Sequence, residues 1–165
     1  MLRLIQNMKQ LPFSQLMTVY AEGNLENAQE LYPHETEHRQ IFLAEQDFYT
    51  YLQEGFFPVE GAVYALWEAH GKYVSALRLE PYRDGLLLEA LETMPACRGK
   101  GYAQALIQAV QREFSGVKIY SHVGKGNIPS LSVHEKCGFR RISEQAVYID
   151  GSVNSRACTF CFEGE

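Results

Sequence analysis

Between Leu86 and Phe114 the sequence changes character within a few residues, and that change limits the folds open to the chain. Leu86–Met94 is a strand-like run, and Ala103, Leu106, Ile107, Val110 and Phe114 follow the i, i+3, i+4, i+7, i+11 spacing of an amphipathic helix. Between them stand Arg98-Gly99-Lys100-Gly101. Strand, glycine-rich turn and helix start therefore fall in a row. Glycines let main-chain N–H groups converge on a ligand without side-chain obstruction. A helix start adds unpaired N–H groups and a partial positive charge. Together they form a cradle for a pyrophosphate, to which Arg98 and Lys100 add formal charge.

The rest of the chain places this junction in an α+β domain. Residues 1–6 read as a strand, and residues 13–31 carry helical spacing with Leu16, Val19 and Tyr20 on one face. Thr36 is an N-cap candidate for a second helix with the stripe Ile41, Ala44, Phe48 and Leu52, ended by Gly55 and Pro58. Three strand-like runs follow, Ala62–Ala69, Tyr73–Glu80 and Leu86–Met94, with turn signals at His70-Gly71 and Tyr82-Arg-Asp-Gly85. After the amphipathic helix come a strand over Val117–His122, a helix over Ile128–Cys137 with Gly138 at its end, and strands over Phe139–Ile149 and Arg156–Phe162. The order β-α-α-β-β-β-α-β-α-β-β implies one domain with a mixed, mostly antiparallel sheet of about seven strands and about four helices. No repeat, low-complexity tract or linker divides residues 1–165.

Charge narrows the ligand. Arg98–Arg141 holds eight basic and two acidic residues, a local +6 inside a chain of net charge −5. A patch of that sign suits a compact polyanion. The acidic remainder, −11, argues against nucleic acid as a partner. No apolar run has the length of a membrane span, and the alternating start reads as a strand and not as an export signal, so no membrane partner and a cytoplasmic location are the expectations. Of Cys97, Cys137, Cys158 and Cys161, only the last two have ligand-like spacing, and on a strand residues three apart face opposite sides. Free thiols and no metal are expected.

Two nucleotide motifs fail at the cradle. The P-loop spacing before Gly-Lys-Ser/Thr is absent, and the third glycine of the dinucleotide fingerprint falls at Gln104. Arg98-x-x-Gly101-x-Ala103 instead resembles the Arg/Gln-x-x-Gly-x-Gly/Ala signature of the Gcn5-related N-acetyltransferase superfamily. Asn127-Ile-Pro-Ser130-Leu-Ser-Val-His134-Glu-Lys-Cys-Gly138-Phe139 is similar to that superfamily's Asn-x-x-Ala/Ser-x-x-x-Tyr-x-x-x-Gly-Phe segment. The two motifs, their separation and the element order agree over nearly the whole chain; the first two helices match nothing specific. The resemblance implies acetyl-coenzyme A as co-substrate and a splayed central pair of strands that admits its pantetheine arm. Backbone groups of Leu91, Glu92, Thr93 and Met94 are then the contacts of the arm, with Pro95 closing the strand. Arg98, Gly99, Lys100, Gly101, Tyr102 and Ala103 hold the pyrophosphate. Asn127 and Ser130 line the arm, and Lys136 assists a phosphate.

The implied chemistry is amine attack on a thioester. An alkylammonium with a pKa of about 10.4 needs a base or a proton-accepting water. Glu89 and Glu92 are the candidates; three apart on a strand, they are expected to face opposite sides of the sheet. His134 stands where the superfamily has a tyrosine, and is either the acid for the leaving thiolate or a structural helix residue, with Tyr102 and Tyr148 as fallback donors. Nine acids and only Arg39 as a base lie between residues 22 and 60, where the family builds its acceptor wall. A small cationic amine or a basic peptide end is the acceptor this implies; solvated helix faces are the other reading of those acids. A non-catalytic acyl-coenzyme A sensor or assembly subunit is the alternative from another class. The family's C-terminal strands make a homodimer an expectation by analogy.

Overall fold

The computed structural model describes residues 1–164. Nine strands and five helices alternate in nearly the expected order: β1 (Leu2–Ile5), α1 (Phe13–Val19), α2 (Ala21–Leu31), α3 (Glu37–Tyr51), β2 (Val63–Ala69), β3 (Lys72–Tyr82), β4 (Gly85–Thr93), α4 (Tyr102–Glu113), β5 (Lys118–Gly124), α5 (Ile128–Lys136), β6 (Arg140–Ser143), β7 (Ala146–Val147), β8 (Val153–Asn154) and β9 (Ala157–Phe162). Seven strands form one mixed sheet in the order β1-β2-β3-β4-β5-β9-β6. Among the described residues only β4 and β5 run parallel; β7 and β8 make a separate hairpin.

The sheet is covered on both sides, and each strand's alternation sorts its residues between two cores. One face carries Val63, Ala65, Leu77, Leu79 and Leu88 against Leu106, Ile107 and Val110 of α4. The other carries Tyr64, Leu66 and Ala76 against Leu16, Val19 and Tyr20, with Leu52 and Phe56 from the end of the α3 segment. Each fully buried Leu or Phe contributes about 1.5–3 kcal/mol of transfer free energy, so the apolar stripes that mark these helices in the sequence are also what fixes them to the sheet. Thr36 caps α3 as expected, its hydroxyl accepting from the Arg39 amide. Past Tyr51 the helix widens into a π turn over Leu52–Phe56 that drives both apolar residues into the core.

Two expectations need correction. The helix expected over residues 13–31 is two helices, because Tyr20 leaves helical geometry (φ −95°, ψ 7°) to bury its ring and donate its hydroxyl to the carbonyl of Ala90, 2.6 Å away. The described residues therefore hold five α-helices. The strand expected over Phe139–Ile149 breaks after Ser143: Ser143 Oγ accepts from the Gln145 amide and Thr159 Oγ1 donates to the Gln145 carbonyl, so the chain leaves the sheet edge and re-forms as β7. Cys158 and Cys161 do face opposite sides of β9, each in a different apolar cluster.

Two features of β4 set up the site. Its pairing with β5 starts at Gly85, where a Cβ would stand 2.2 Å from the Lys118 carbonyl oxygen, so only glycine allows the strands this close. The pairing runs four rungs, Gly85↔Lys118 to Leu88↔Ser121, and stops. On the other side, β3 pairs Arg78 with Glu89 and Ala76 with Glu92, so that Leu77 alone faces both Ala90 and Leu91. That is a β-bulge, with Ala90 at φ 49°. It bends β4 away from β5 just where their pairing ends, and the central pair splays.

Candidate functional site

The splay opens a cleft of about 830 Å3 between the free edge of β4, the 97–104 loop and helix start, and one side of α5. Leu91, Glu92, Thr93, Arg98, Gly99, Gly101, Tyr102, Ala103, Asn127, Ser130 and Lys136 line it, all of them sequence candidates. Glu89, Met94 and Lys100 do not; the Lys100 ammonium turns back to the Ala96 carbonyl, 3.2 Å away. Cys97, Gln104, Pro129, Ser132 and Val133 line it as well. The last three follow from helical periodicity, since 129, 132, 133 and 136 share a face of α5.

Gly99 and Gly101 sit at φ 74° and 79°, a backbone region that glycine enters without strain, and nothing lies within 4 Å of where their Cβ atoms would be. Gly101 is the N-cap of α4 and no side chain caps that end. The first-turn amides of α4 therefore face the cleft with no protein side chain competing for them, which fits a pyrophosphate. Lys136 stands across the cleft. Arg98 departs from the expectation: its guanidinium is paired with Glu22 of α2 and with Glu92 at 2.9 Å, and its Nε donates to the Thr93 carbonyl at 3.2 Å. It ties α2, β4 and the loop together instead of pointing at the amides. The +6 segment is likewise dispersed, with Lys118 paired to Asp84 and Glu163, and Lys125 and Arg141 to Glu144.

Glu89 and Glu92 do not face opposite sides. The extra residue at the bulge restores their parity, so both lie on the α1–α3 face with Ala76 and Arg78. Glu92 is half-buried and ion-paired to Arg98. Glu89 has a different neighbourhood. Burial is the main cause that pushes its carboxyl from the ordinary 4.5 up to about 7, and a hydrogen bond with the Glu80 carboxyl adds to it against the pull of Arg78. Glu89 thus keeps its proton up to near neutral pH, with the Glu80 carboxyl as its hydrogen-bond partner. Glu80 was not a sequence candidate. The hairpin signal Tyr82-Arg-Asp-Gly85 could have found it, since closing that turn sets Glu80 across from Leu87 and next to Glu89 on one face. Arg78 lies beside them with its guanidinium 5.0 Å from the Tyr51 ring and 5.7 Å from that of Phe56.

His134 is not in the cleft. It is 1% exposed, packed edge-on to Phe139 at 5.1 Å and against Phe160. Its Nδ1 lies 2.7 Å from the Ser130 carbonyl, an acceptor, so Nδ1 carries the proton and Nε2 is left buried without a partner. Burial lowers its pKa and keeps the ring neutral. The reading of His134 as the acid is therefore corrected: α5 turns that position toward the sheet, and it is a core residue. Of the fallback donors, Tyr102 lines the cleft; Tyr148 does not, and packs on the His122 ring.

A glycine-rich anion cradle, a splayed parallel pair and an unpaired strand edge beside it define a class of acyltransferase that binds a pantetheine-linked nucleotide. The sequence profile of the acetyltransferase (GNAT) family matches residues 18–139, and the chain belongs to that family. By class it is an acyltransferase. Among solved structures it is similar to the PaiA N-acetyltransferase of Thermoplasma acidophilum in complex with coenzyme A (11% identity, TM-score 0.63, 99% of each chain covered). It is also similar to the ribosomal-protein-S18-alanine N-acetyltransferase of Escherichia coli (17% identity, TM-score 0.59, 98% of this chain and 93% of that one). A search of curated proteins returns no match. No helix among the described residues is long and apolar enough to cross a membrane.

Proposed function

We propose that this protein transfers an acetyl group from acetyl-coenzyme A to a primary amine by direct attack within a ternary complex. The observation that carries the proposal is the placement of Glu89, a carboxyl titrating near neutrality, at the point where β4 leaves β5 and bares its edge. Acetyl-coenzyme A supplies the activated acyl group. The α4 amides and Lys136 hold its phosphates, the edge of β4 from Leu91 to Thr93 pairs with its arm, and Asn127 and Ser130 flank it. Unpaired amides on that edge stabilise the negative charge that develops on the carbonyl oxygen. Glu89, ionised above about pH 7 and backed by Glu80, takes the proton that an incoming ammonium must shed.

The acceptor is a small cationic amine or a basic peptide end. Nine acidic residues in the 22–60 segment, which folds as α2, α3 and their flanks on the Glu89 face, support that class. They raise the local concentration of a cation at low ionic strength.

Isothermal titration of acetyl-coenzyme A, beside the variants Gly101→Glu and Ala103→Glu, tests the first half. Both variants place a carboxylate at the cradle, and Ala103 does so from ordinary helical backbone. Binding by the wild type and not by the variants is expected. Thiol release across a panel of cationic and neutral amines at low salt tests the second half. Cofactor binding without turnover of any amine would mean a sensor, and equal turnover of neutral amines would remove the acidic wall from the account.

A further inference from the structure

The register of β4 and β5 brings a second proton-handling group to the site. Leu88↔Ser121 is the last rung of the parallel pair, so one residue further Glu89 and His122 stand on either side of the gap. They share a face. Leu87 and Tyr120 are buried together in one cluster with Tyr82, and Glu89 and His122 each lie two residues on from that pair. An arm anchored at residues 98–103 and running along the edge of β4 brings its thioester toward this closing rung.

The imidazole is built in, not left loose on the surface. The ring of Tyr82 meets it edge-on at 5.6 Å and 88°, and that of Tyr148 at 5.3 Å and 86° from the other side. Both tyrosines are themselves fixed. The Tyr82 hydroxyl donates to the Val147 carbonyl, and the Tyr148 hydroxyl accepts from Asn154 Nδ2 at 2.8 Å. The β7–β8 hairpin therefore clamps His122. Its Nε2 is buried without a partner among the described residues, while the residue as a whole is partly exposed.

Resting on the amine-transfer reading above, we propose that His122 is a catalytic residue that carries a proton from the attacking nitrogen to the departing sulfur. Two protons must leave an alkylammonium as it becomes an amide. The first goes to Glu89 and from there to water. The neutral nitrogen then attacks and the C–N bond forms. The imidazole takes the second proton and becomes imidazolium. As the C–S bond breaks, the imidazolium gives that proton to sulfur, releasing the free thiol of coenzyme A and restoring neutral imidazole. One proton is released to solvent in the cycle and the atoms balance. The rings of Tyr82 from β3 and Tyr148 from the hairpin pack on the imidazole, the Arg83 charge from the turn after β3 acts on it, and Glu89 stands across the gap on β4. Burial first, and the Arg83 charge second, lower the His122 pKa, so it rests neutral and its imidazolium is a ready donor.

The test uses His122→Gln and His122→Ala with the best amine of the panel, measuring kcat by thiol release and acetyl-coenzyme A affinity by titration. The expected result is a kcat lowered about 100-fold or more in both, with affinity and melting temperature unchanged and with free imidazole restoring part of the rate to His122→Ala. A kcat within about threefold of wild type overturns the assignment. So does a loss that imidazole does not rescue, which would make His122 a packing residue. If the wild type binds acetyl-coenzyme A but turns over no amine, both this proposal and the amine-transfer reading fall; if only the variants behave like wild type, this one falls alone.

Discussion

At the scale of single residues, the pH behaviour of Glu89 is the most direct check on the site. A carboxyl raised from 4.5 to about 7 must lose its proton before it can act as a base, so kcat/KM is expected to rise with pH through about 7 and then level off. Glu89→Gln removes that limb and lowers kcat by 100-fold or more while leaving acetyl-coenzyme A affinity in place. The stability consequence has the opposite sign. A carboxyl whose folded pKa is raised contributes most below its unfolded value and loses that contribution as pH rises through the folded one. Glu89→Gln should therefore melt higher than wild type at pH 8 and no higher at pH 4, by thermal denaturation at both. His134 gives the contrasting prediction. Its buried Nε2 has no partner among the described residues, and the Nδ1 bond to the Ser130 carbonyl is worth about 1 kcal/mol net. His134→Phe, placed beside Phe139 and Phe160, should keep turnover within about twofold and stability within about 1 kcal/mol; a loss of activity would return His134 to the chemistry.

At the scale of elements, the bulge in β4 decides the geometry, and its fastening lies on another element. The Tyr20 hydroxyl holds the Ala90 carbonyl from the α1–α2 break, and it is this bond that interrupts the helix. Tyr20→Phe removes about 1 kcal/mol of hydrogen bonding, or about 2–4 °C of melting temperature in a chain of this size. Because the same bond fixes the strand that carries Glu89, kcat should fall by more than that stability loss alone predicts, which steady-state rates and a melting curve on one preparation will show. The same contact explains what the sequence could and could not reveal. The cradle was legible because glycine, helix periodicity and the strand run are local signals, and so were the order of elements, the Thr36 cap and the α5 face with Asn127 and Ser130. The splay itself came from resemblance. The parity of Glu89 and Glu92 was misread because a bulge at an alanine with positive φ leaves no mark in a run of strand-forming residues. Glu80, the α1–α2 break and the engagement of Arg98 with Glu22 are all tertiary, set by partners 9, 70 and 76 residues away.

At the scale of the whole molecule, charge and ligand binding should couple through the cleft. A ligand that binds only the folded chain adds RT ln(1 + [L]/Kd), which is about 2.7 kcal/mol at a hundredfold excess over Kd. For a chain of this length that corresponds to a rise of about 5–10 °C in melting temperature. The acetyl-coenzyme A phosphates meet the α4 amides and Lys136, yet the chain around them is acidic overall, with a net charge of −5. Salt screens both the attraction at the cradle and the repulsion from the rest of the chain. The repulsion is spread over longer distances and is screened first as the Debye length falls from about 10 Å at 0.1 M to 3 Å at 1 M. The stabilisation by acetyl-coenzyme A should therefore change little between 0.02 and 0.1 M salt and fall toward 1 M, and Gly101→Glu should abolish it at every salt concentration. A stabilisation that survives in Gly101→Glu would place the ligand somewhere other than the cleft between β4 and α5, and the assignment of Leu91–Thr93 to the acyl arm would fall with it.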